Sequence, residues 1–294
     1  MAMAFFLRAT LLLCILFSKD VEGLTGAALS NSSGNSPIRK KVLIVGGNGR
    51  VGGSAARHIH ILNDEAATGG SIELILGGRS PSSFEESKAR ILAQLRSDPA
   101  MTNKPVPRIT FQALDLTNDP ARLAEIITRC GADAVVHTAG PFQQRTAPTL
   151  LEASIVAGVP YVDVCDEPPL CAAGKLLGQQ ATANGVCAVT AAGIWPGASA
   201  LMAAHATEEL RKLEGEATSP VDITMSFFTA GTGNAGATIV SATFLLLCQQ
   251  ALTIGGGAEV EKEPWTEAHD VDFRGSQGVK TVRLLDNPDV FTLY

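Results

Sequence analysis

Gly47-Asn48-Gly49-Arg50-Val51-Gly52 follows the β-branched run Lys41–Val45 (KVLIV) directly and opens a segment of helical period. A G-x-G-x-x-G spacing in that strand-to-helix context can hold a diphosphate. Gly47 is expected to permit the tight turn, Gly49 to let the backbone approach the pyrophosphate, and Gly52 to let the helix pack closely on the strand. Asn48, Arg50 and Val51 complete the loop, whose amides would face the anion at the positive end of the helix dipole. The next strand, Ser71–Leu76, ends in Gly77-Gly78-Arg79-Ser80 with no carboxylate. A carboxylate there would bond a ribose 2′-hydroxyl; Arg79 suits a 2′-phosphate through paired hydrogen bonds, and Ser80 adds a donor. The expected cofactor is therefore NADP(H) in preference to NAD(H).

Further candidates cluster at later strand ends, where ligands lie in an open α/β sheet. Asp115, just past the third strand, is expected near the adenine. Ala139 and Gly140 would let the cofactor pass close, Pro141 shapes the same turn, and Phe142 would pack against the nicotinamide. Asp166 and Glu167 follow the fifth strand and are the acid or base candidates, since a partly buried carboxylate can titrate high. Asp163 and Asp166 could equally cap the next helix or bond loop amides. Arg145 would hold a substrate carboxylate or face water, and Trp195 would wall the substrate site. His137 reads better as a hydrogen-bonded histidine at a strand end. No His or Cys spacing resembles a metal site. The six cysteines read as buried free thiols, with Cys165 a neighbour of the site.

Positioning these groups requires a regular alternation of strands and helices. After the first strand a helix is expected over Val51–Asn63. The strand Ser71–Leu76 leads to a helix capped by Ser82 or Ser83 that runs to Arg96. A proline-rich loop, 97–107, leads to the strand Arg108–Ala113. Asp119-Pro120 reads as an N-cap and first-turn proline of a helix reaching Arg129. Strand Ala134–Thr138, a helix from Pro148 to Ala157 closed by Gly158, and strand Tyr161–Val164 follow. Then come a helix Leu170–Asn184, a strand Cys187–Ala191 and a long helix to Leu213. Six such units predict a parallel sheet covered on both faces. Beyond it, Val221–Phe228 alternates like a strand and Thr229–Gly236 is a glycine-rich loop. Ala237–Leu252 reads as an apolar helix, and Lys280–Leu285 is strand-like. The expected fold class is α/β, a doubly wound parallel Rossmann sheet over 41–213 followed by a partial α+β substrate or dimerisation domain over 214–294.

The chain has 294 residues, 46% of them hydrophobic, and a net charge of −6, which leaves no electrostatic footprint for nucleic acid. The expected partner is a small-molecule substrate, with a homodimer allowed and no stable membrane span in the mature chain. Residues 1–23 read as a signal peptide, with Arg8 ahead of the short apolar run Leu11–Phe17. Residues 24–40 lack acidic residues and resemble a transit segment. Together they predict an organelle reached through the secretory pathway, a plastid in particular, with the ER lumen or secretion as the alternative.

The ordered segments VLIVGGNGRVG (42–52), GGRS (77–80), ALDLTND (113–119), ADAVVHTAGPF (132–142), AGVPYVDVCDEP (157–168) and TAAGIWPGASALMA (190–203) resemble the saccharopine dehydrogenase (saccharopine reductase-like) family. That resemblance implies an NAD(P)-dependent oxidoreductase acting on an imine or amino-acid-derived substrate, with a second domain closing over it. The basic residues that grip dicarboxylates in lysine-pathway members cannot be placed in this sequence. A short-chain dehydrogenase mechanism needs Tyr-x-x-x-Lys; the two tyrosines are Tyr161, with cysteine at 165, and the terminal Tyr294. The alternative of another class is a non-catalytic NADP(H)-binding redox sensor or scaffold.

Overall fold

A computed structural model describes residues 39–65, 71–102, 104–214, 221–229 and 236–293. The expected signal and transit segments lie outside them, apart from the last two residues of the latter. The first half alternates as expected: β1 (Arg39–Val45), α1 (Arg50–Glu65), β2 (Ser71–Gly78), α2 (Ser82–Arg96), β3 (Arg108–Ala113), α3 (Pro120–Cys130), β4 (Ala134–His137), α4 (Thr149–Ala157) and β5 (Tyr161–Asp163). Two short helices, α5 (Pro168–Leu176) and α6 (Gly178–Ala183), precede β6 (Ala188–Val189), and α7 spans Ala198–Glu214. All six strands pair in parallel in the order β3-β2-β1-β4-β5-β6. This is the doubly wound Rossmann arrangement.

The alternation within β1 shows why it is central. Val42 and Ile44 point into one apolar layer with Ala56 and Ile59 of α1 and Ile91 and Leu95 of α2. Leu43 and Val45 point into the opposite layer with Leu123 and Ile127 of α3 and Leu150 and Ile155 of α4. A strand apolar on both faces has to be covered twice, and the two helix pairs do so. The ends of these helices follow local chemistry. Asp119 accepts from the Arg122 amide at 2.8 Å, and Gly131 and Gly158 close α3 and α4 in the left-handed region.

Four expectations are corrected. Neither Ser82 nor Ser83 caps α2, whose N-cap is Pro81 without a side-chain bond. The helix expected over Leu170–Asn184 breaks at Leu177 into two, where the chain turns between Gly174 and Gly178. Residues 221–229 form no strand and carry no regular secondary structure. The apolar helix α8 (Ala237–Leu246) stops six residues early, and Ala251–Gly255 forms β7 instead. There β-branched Thr253 and Ile254 pair with β8 (Ala258–Lys262) across the positive-φ turn Gly256-Gly257.

A second hairpin, β9 (His269–Asp272) with β10 (Val279–Val282), and a last helix, α9 (Asp289–Leu293), complete the described chain. The C-terminal part joins the first through Ser199, whose hydroxyl donates to buried Asp289 at 2.6 Å. Among the described residues, no helix is long and apolar enough to cross a membrane.

Removing side chain from the second layer should be expensive. Ile127→Ala is expected to lower unfolding stability by about 2–5 kcal/mol in urea titrations. Leu176→Ala, at a residue 85% exposed, should stay within about 0.5 kcal/mol. Equal effects would contradict the two-layer core.

Candidate functional site

The carboxyl ends of the central strands form a row, with Val45 opposite His137 and His137 opposite Asp163. Past this row the chain leaves β1 toward one face and β4 toward the other, which opens a crevice at the switch point. The two departing loops press together. Gly46 adopts φ +84°, and a Cβ there would stand 2.8 Å from the Ala139 nitrogen. The tight turn therefore falls on Gly46 and not on Gly47, as the spacing alone suggested. Gly47 is required for space: its Cβ would lie 2.8 Å from both the Ile44 carbonyl oxygen and a Leu76 methyl. A Cβ on Gly52 would meet Gly47 Cα and Thr138 Oγ1, each at 2.7 Å, which is the close helix-to-strand packing expected of that glycine. At Gly49 the nearest atom would be the Gly46 oxygen at 3.1 Å. Arg50 and Val51 open α1, whose first-turn amides have no acceptor within the helix.

The glycine-rich loop and the turn after β2 form one unit. Asn48 Nδ2 donates to Ser83 Oγ at 2.9 Å and to the Ser80 carbonyl at 3.2 Å. The Asn48 carbonyl accepts from Ser87 Oγ at 2.7 Å and from Arg90 at 3.1 Å. Sequence reasoning missed Ser83, Ser87 and Arg90. Their signal is that they recur on one side of the first turns of α2, the side facing α1. Ser80 keeps its hydroxyl 2.7 Å from that of Ser82.

Arg79 is exposed at the end of β2 and lines an open recess of about 400 Å³ with Gln112, Asp115, Asn118, Arg122 and Arg129. Asp115 accepts the Thr117 amide and hydroxyl, both at 3.0 Å. These bonds, with Arg79 and Arg145 beyond them, hold its carboxyl below the usual range. The recess thus carries three guanidiniums, of which that of Arg122 is paired with Glu125 at 2.6 Å, against one ionised carboxylate on its wall.

Beneath the crevice lies a buried hydrogen-bond chain. Tyr161 donates to Asp163 Oδ2 at 2.9 Å, so His137 Nδ1, 2.9 Å from the same phenol oxygen, is the donor in that bond. Asp163 Oδ1 accepts the Cys165 and Ala191 amides at 3.0 and 2.8 Å. It bonds loop amides and caps no helix, and His137 is the hydrogen-bonded strand-end histidine. Burial, with Arg145 adding to it, pushes His137 down to about 3. Its Nε2 and Arg145 Nε are buried and have no protein partner. Both residues border an interior cavity of about 10 Å³, room for roughly one water. Phe142 is turned into this interior, edge-on to His137 at 5.0 Å, and not toward the open crevice.

The remaining candidates sit beside the crevice. Burial pushes the Asp166 carboxyl up, and a bond from Gln143 opposes it. Glu167 is buried, and both of its oxygens accept from Gln249 Nε2, at 3.1 and 3.0 Å. Burial raises its carboxyl, with Asp286 and Asp166 adding repulsion. Gln249, between α8 and β7, carries no sequence signal for this role. Trp195 is partly exposed and tilts against Phe227 at 4.8 Å. At the start of α8, Thr238 faces Gly140 and Gly236 faces Arg50, so the C-terminal part borders the crevice.

The family model described as the saccharopine dehydrogenase NADP binding domain matches residues 42–219. No curated protein matches the chain. Among solved structures the chain is similar to an NAD binding oxidoreductase from Klebsiella pneumoniae, at 16% identity over 52% of this chain and 34% of that one, with a TM-score of 0.36. It is similar to a 3-oxoacyl-[acyl-carrier protein] reductase from Brucella melitensis, at 16% identity over 42% and 51% of the two chains (TM-score 0.27). A metagenomic short-chain oxidoreductase in complex with NADP is similar at 13% identity over 51% and 79% (TM-score 0.30). The chain thus spans about a third of the first structure and half of the second.

The buried imidazole makes stability depend on pH. Unfolded His137 takes up a proton below about 6.5, whereas the folded one stays neutral down to about 3. Stability contributed by this residue therefore falls as pH falls across that window, by about 1.4 kcal/mol per pH unit. His137→Gln removes this dependence. Between pH 6 and 5 the wild-type unfolding free energy should drop more than the variant's by about 1 kcal/mol. Parallel urea-unfolding curves for the two proteins would show that His137 is not buried neutral.

Proposed function

We propose that this chain, which belongs to the saccharopine dehydrogenase NADP-binding domain family, holds NADP(H) across its switch-point crevice and works as an oxidoreductase on an imine or amino-acid-derived substrate. The observation that carries the reading is the pairing of a side-chain-free cradle with a guanidinium-lined recess. At Gly46, Gly47 and Gly52 a Cβ would collide with backbone, so the loop is built to bring main chain close to whatever it binds. That fits a diphosphate lying on the amides at the start of α1. Asn48 braces the loop, while Gly49, Arg50 and Val51 line it.

Arg79 and Ser80 then serve a ribose 2′-phosphate, and the recess holding Asp115 accepts the adenine. Arg129 adds positive charge to that recess, while Arg122 is paired with Glu125 at 2.6 Å. Ala139, Gly140 and Pro141 form the opposite wall of the crevice. Phe142 supports it from inside, through His137. Bound NADP(H) supplies the hydride chemistry; the chain's own groups bind, orient and supply or remove a proton.

Of the two acid or base candidates, Glu167 has both oxygens engaged by Gln249, which leaves Asp166 as the better proton carrier. Burial raises its affinity for a proton, the direction in which a general acid has to be shifted. Arg145 and Trp195 are assigned to the substrate, Arg145 as a cation whose Nε lacks a protein partner.

Calorimetric titration of the full chain with NADPH and NADH tests the cofactor assignment. Arg79→Ala should weaken NADPH binding about 10–100-fold, the worth of a charge-assisted contact, and leave NADH binding nearly unchanged. Equal losses for both would remove Arg79 from this role. Single-turnover oxidation of bound NADPH with a panel of cyclic and acyclic imines tests the activity. Tight binding with no oxidation on any of them would identify a binding protein.

A further inference from the structure

We infer that Cys165 and Cys171 form a reversible intramolecular disulfide, an oxidation site at the base of the loop that carries Asp166 and Glu167. The two residues are 1% and 2% exposed and pack in one buried cluster with Phe142, Leu170 and Ala191. Each is also held by the other's surroundings. Cys171 Sγ lies 4.0 Å from the Cys165 carbonyl oxygen, and Cys165 Sγ lies 3.7 Å from that of Glu167.

The main chain on either side is fixed. The Cys165 amide is bound to Asp163 at 3.0 Å, and the Cys171 amide to the Glu167 carbonyl at 3.0 Å. Closing a bond of about 2.05 Å between the two sulfurs requires side-chain rotation and a small backbone adjustment. Both cysteines border the interior cavity of about 10 Å³, which supplies slack for that rotation. Cys130 differs: its thiol bonds Ile127 within its own helix.

Glutathione disulfide is the oxidant. A Cys171 thiolate attacks one of its sulfurs, breaks that S–S bond and releases one glutathione thiolate, which takes up the proton Cys171 lost. Cys165 then gives up its proton and attacks the Cys171 sulfur of the mixed disulfide, releasing the second glutathione. Two thiols lose two electrons and two protons, and one glutathione disulfide becomes two glutathiones. Cys171 leads because it lies on α5, whose opening exposes it to the oxidant. Access needs the first turn of α5 to open, so the native protein reacts slowly.

Trypsin places the pair in one peptide, Thr146–Lys175, with no other cysteine. The full chain is incubated with glutathione disulfide, in native buffer and in sub-denaturing urea, then alkylated with N-ethylmaleimide under denaturing conditions and analysed by mass spectrometry. The expected peptide is unalkylated and two hydrogens lighter than the reduced form, and dithiothreitol before alkylation restores two alkyl groups. Appearance of the lighter peptide in urea alone also supports the pair and identifies access as the slow step. In Cys171→Ser the peptide should carry one alkyl group or one glutathione. Two alkyl groups, two glutathiones or a link to another cysteine, in both buffers, overturns the inference.

Discussion

The crevice exists because two stretches of main chain approach more closely than any side-chain carbon would allow. The turn after β1 and the loop after β4 meet at Gly46 and Ala139, and α1 starts against Gly47 and Thr138. A methyl group at Gly52 would have to displace backbone, not a flexible side-chain tip, so this contact has no inexpensive relaxation. The rest is arranged around that approach. β1 is apolar on both faces because helices must leave it in both directions, and the crevice is where those directions separate.

A second constraint sits below the first. Asp163 ends β5 and gathers the Tyr161 phenol, the Cys165 amide and the Ala191 amide on one carboxyl group. The last strand, β6, is two residues long and cannot fix the loop that follows it. The Asp163 bond to Ala191, whose φ is +59°, supplies that restraint. The loops after β4, β5 and β6 are thereby tied through one buried network, in which half-satisfied groups are costly. Burial raises the proton affinity of Asp163, while its two amide donors and Tyr161 oppose the rise.

The sheet was legible because its signals are local and redundant: β-branched runs with apolar residues on both sides, Asp119-Pro120 at a helix start, and glycine at the end of α4. The glycine spacing located the phosphate-type turn but misassigned its conformation by one residue. The positive φ of Gly46 depends on how β4 approaches, which no local pattern records. Asn48 was placed in the loop, yet its bonds to Ser83 and Ser80 depend on α1 and α2 lying side by side. Gln249 was invisible for the same reason, since its partner Glu167 is 82 residues away. Ala237–Leu252 misled because its apolar residues show no clear period, and hydrophobicity alone does not distinguish a helix end from the first residues of a hairpin.

The guanidinium-lined recess has a kinetic meaning when set against the whole molecule. The chain carries a net charge of −6. A polyanion approaching from afar therefore meets a repelling field and feels the three arginines only at short range. At physiological ionic strength the screening distance is about 8 Å, so the far repulsion is largely extinguished while the near attraction survives. Diluting the buffer lengthens the reach of the unfavourable field and slows encounter, the reverse of the behaviour of enzymes that steer their ligands in over long distances.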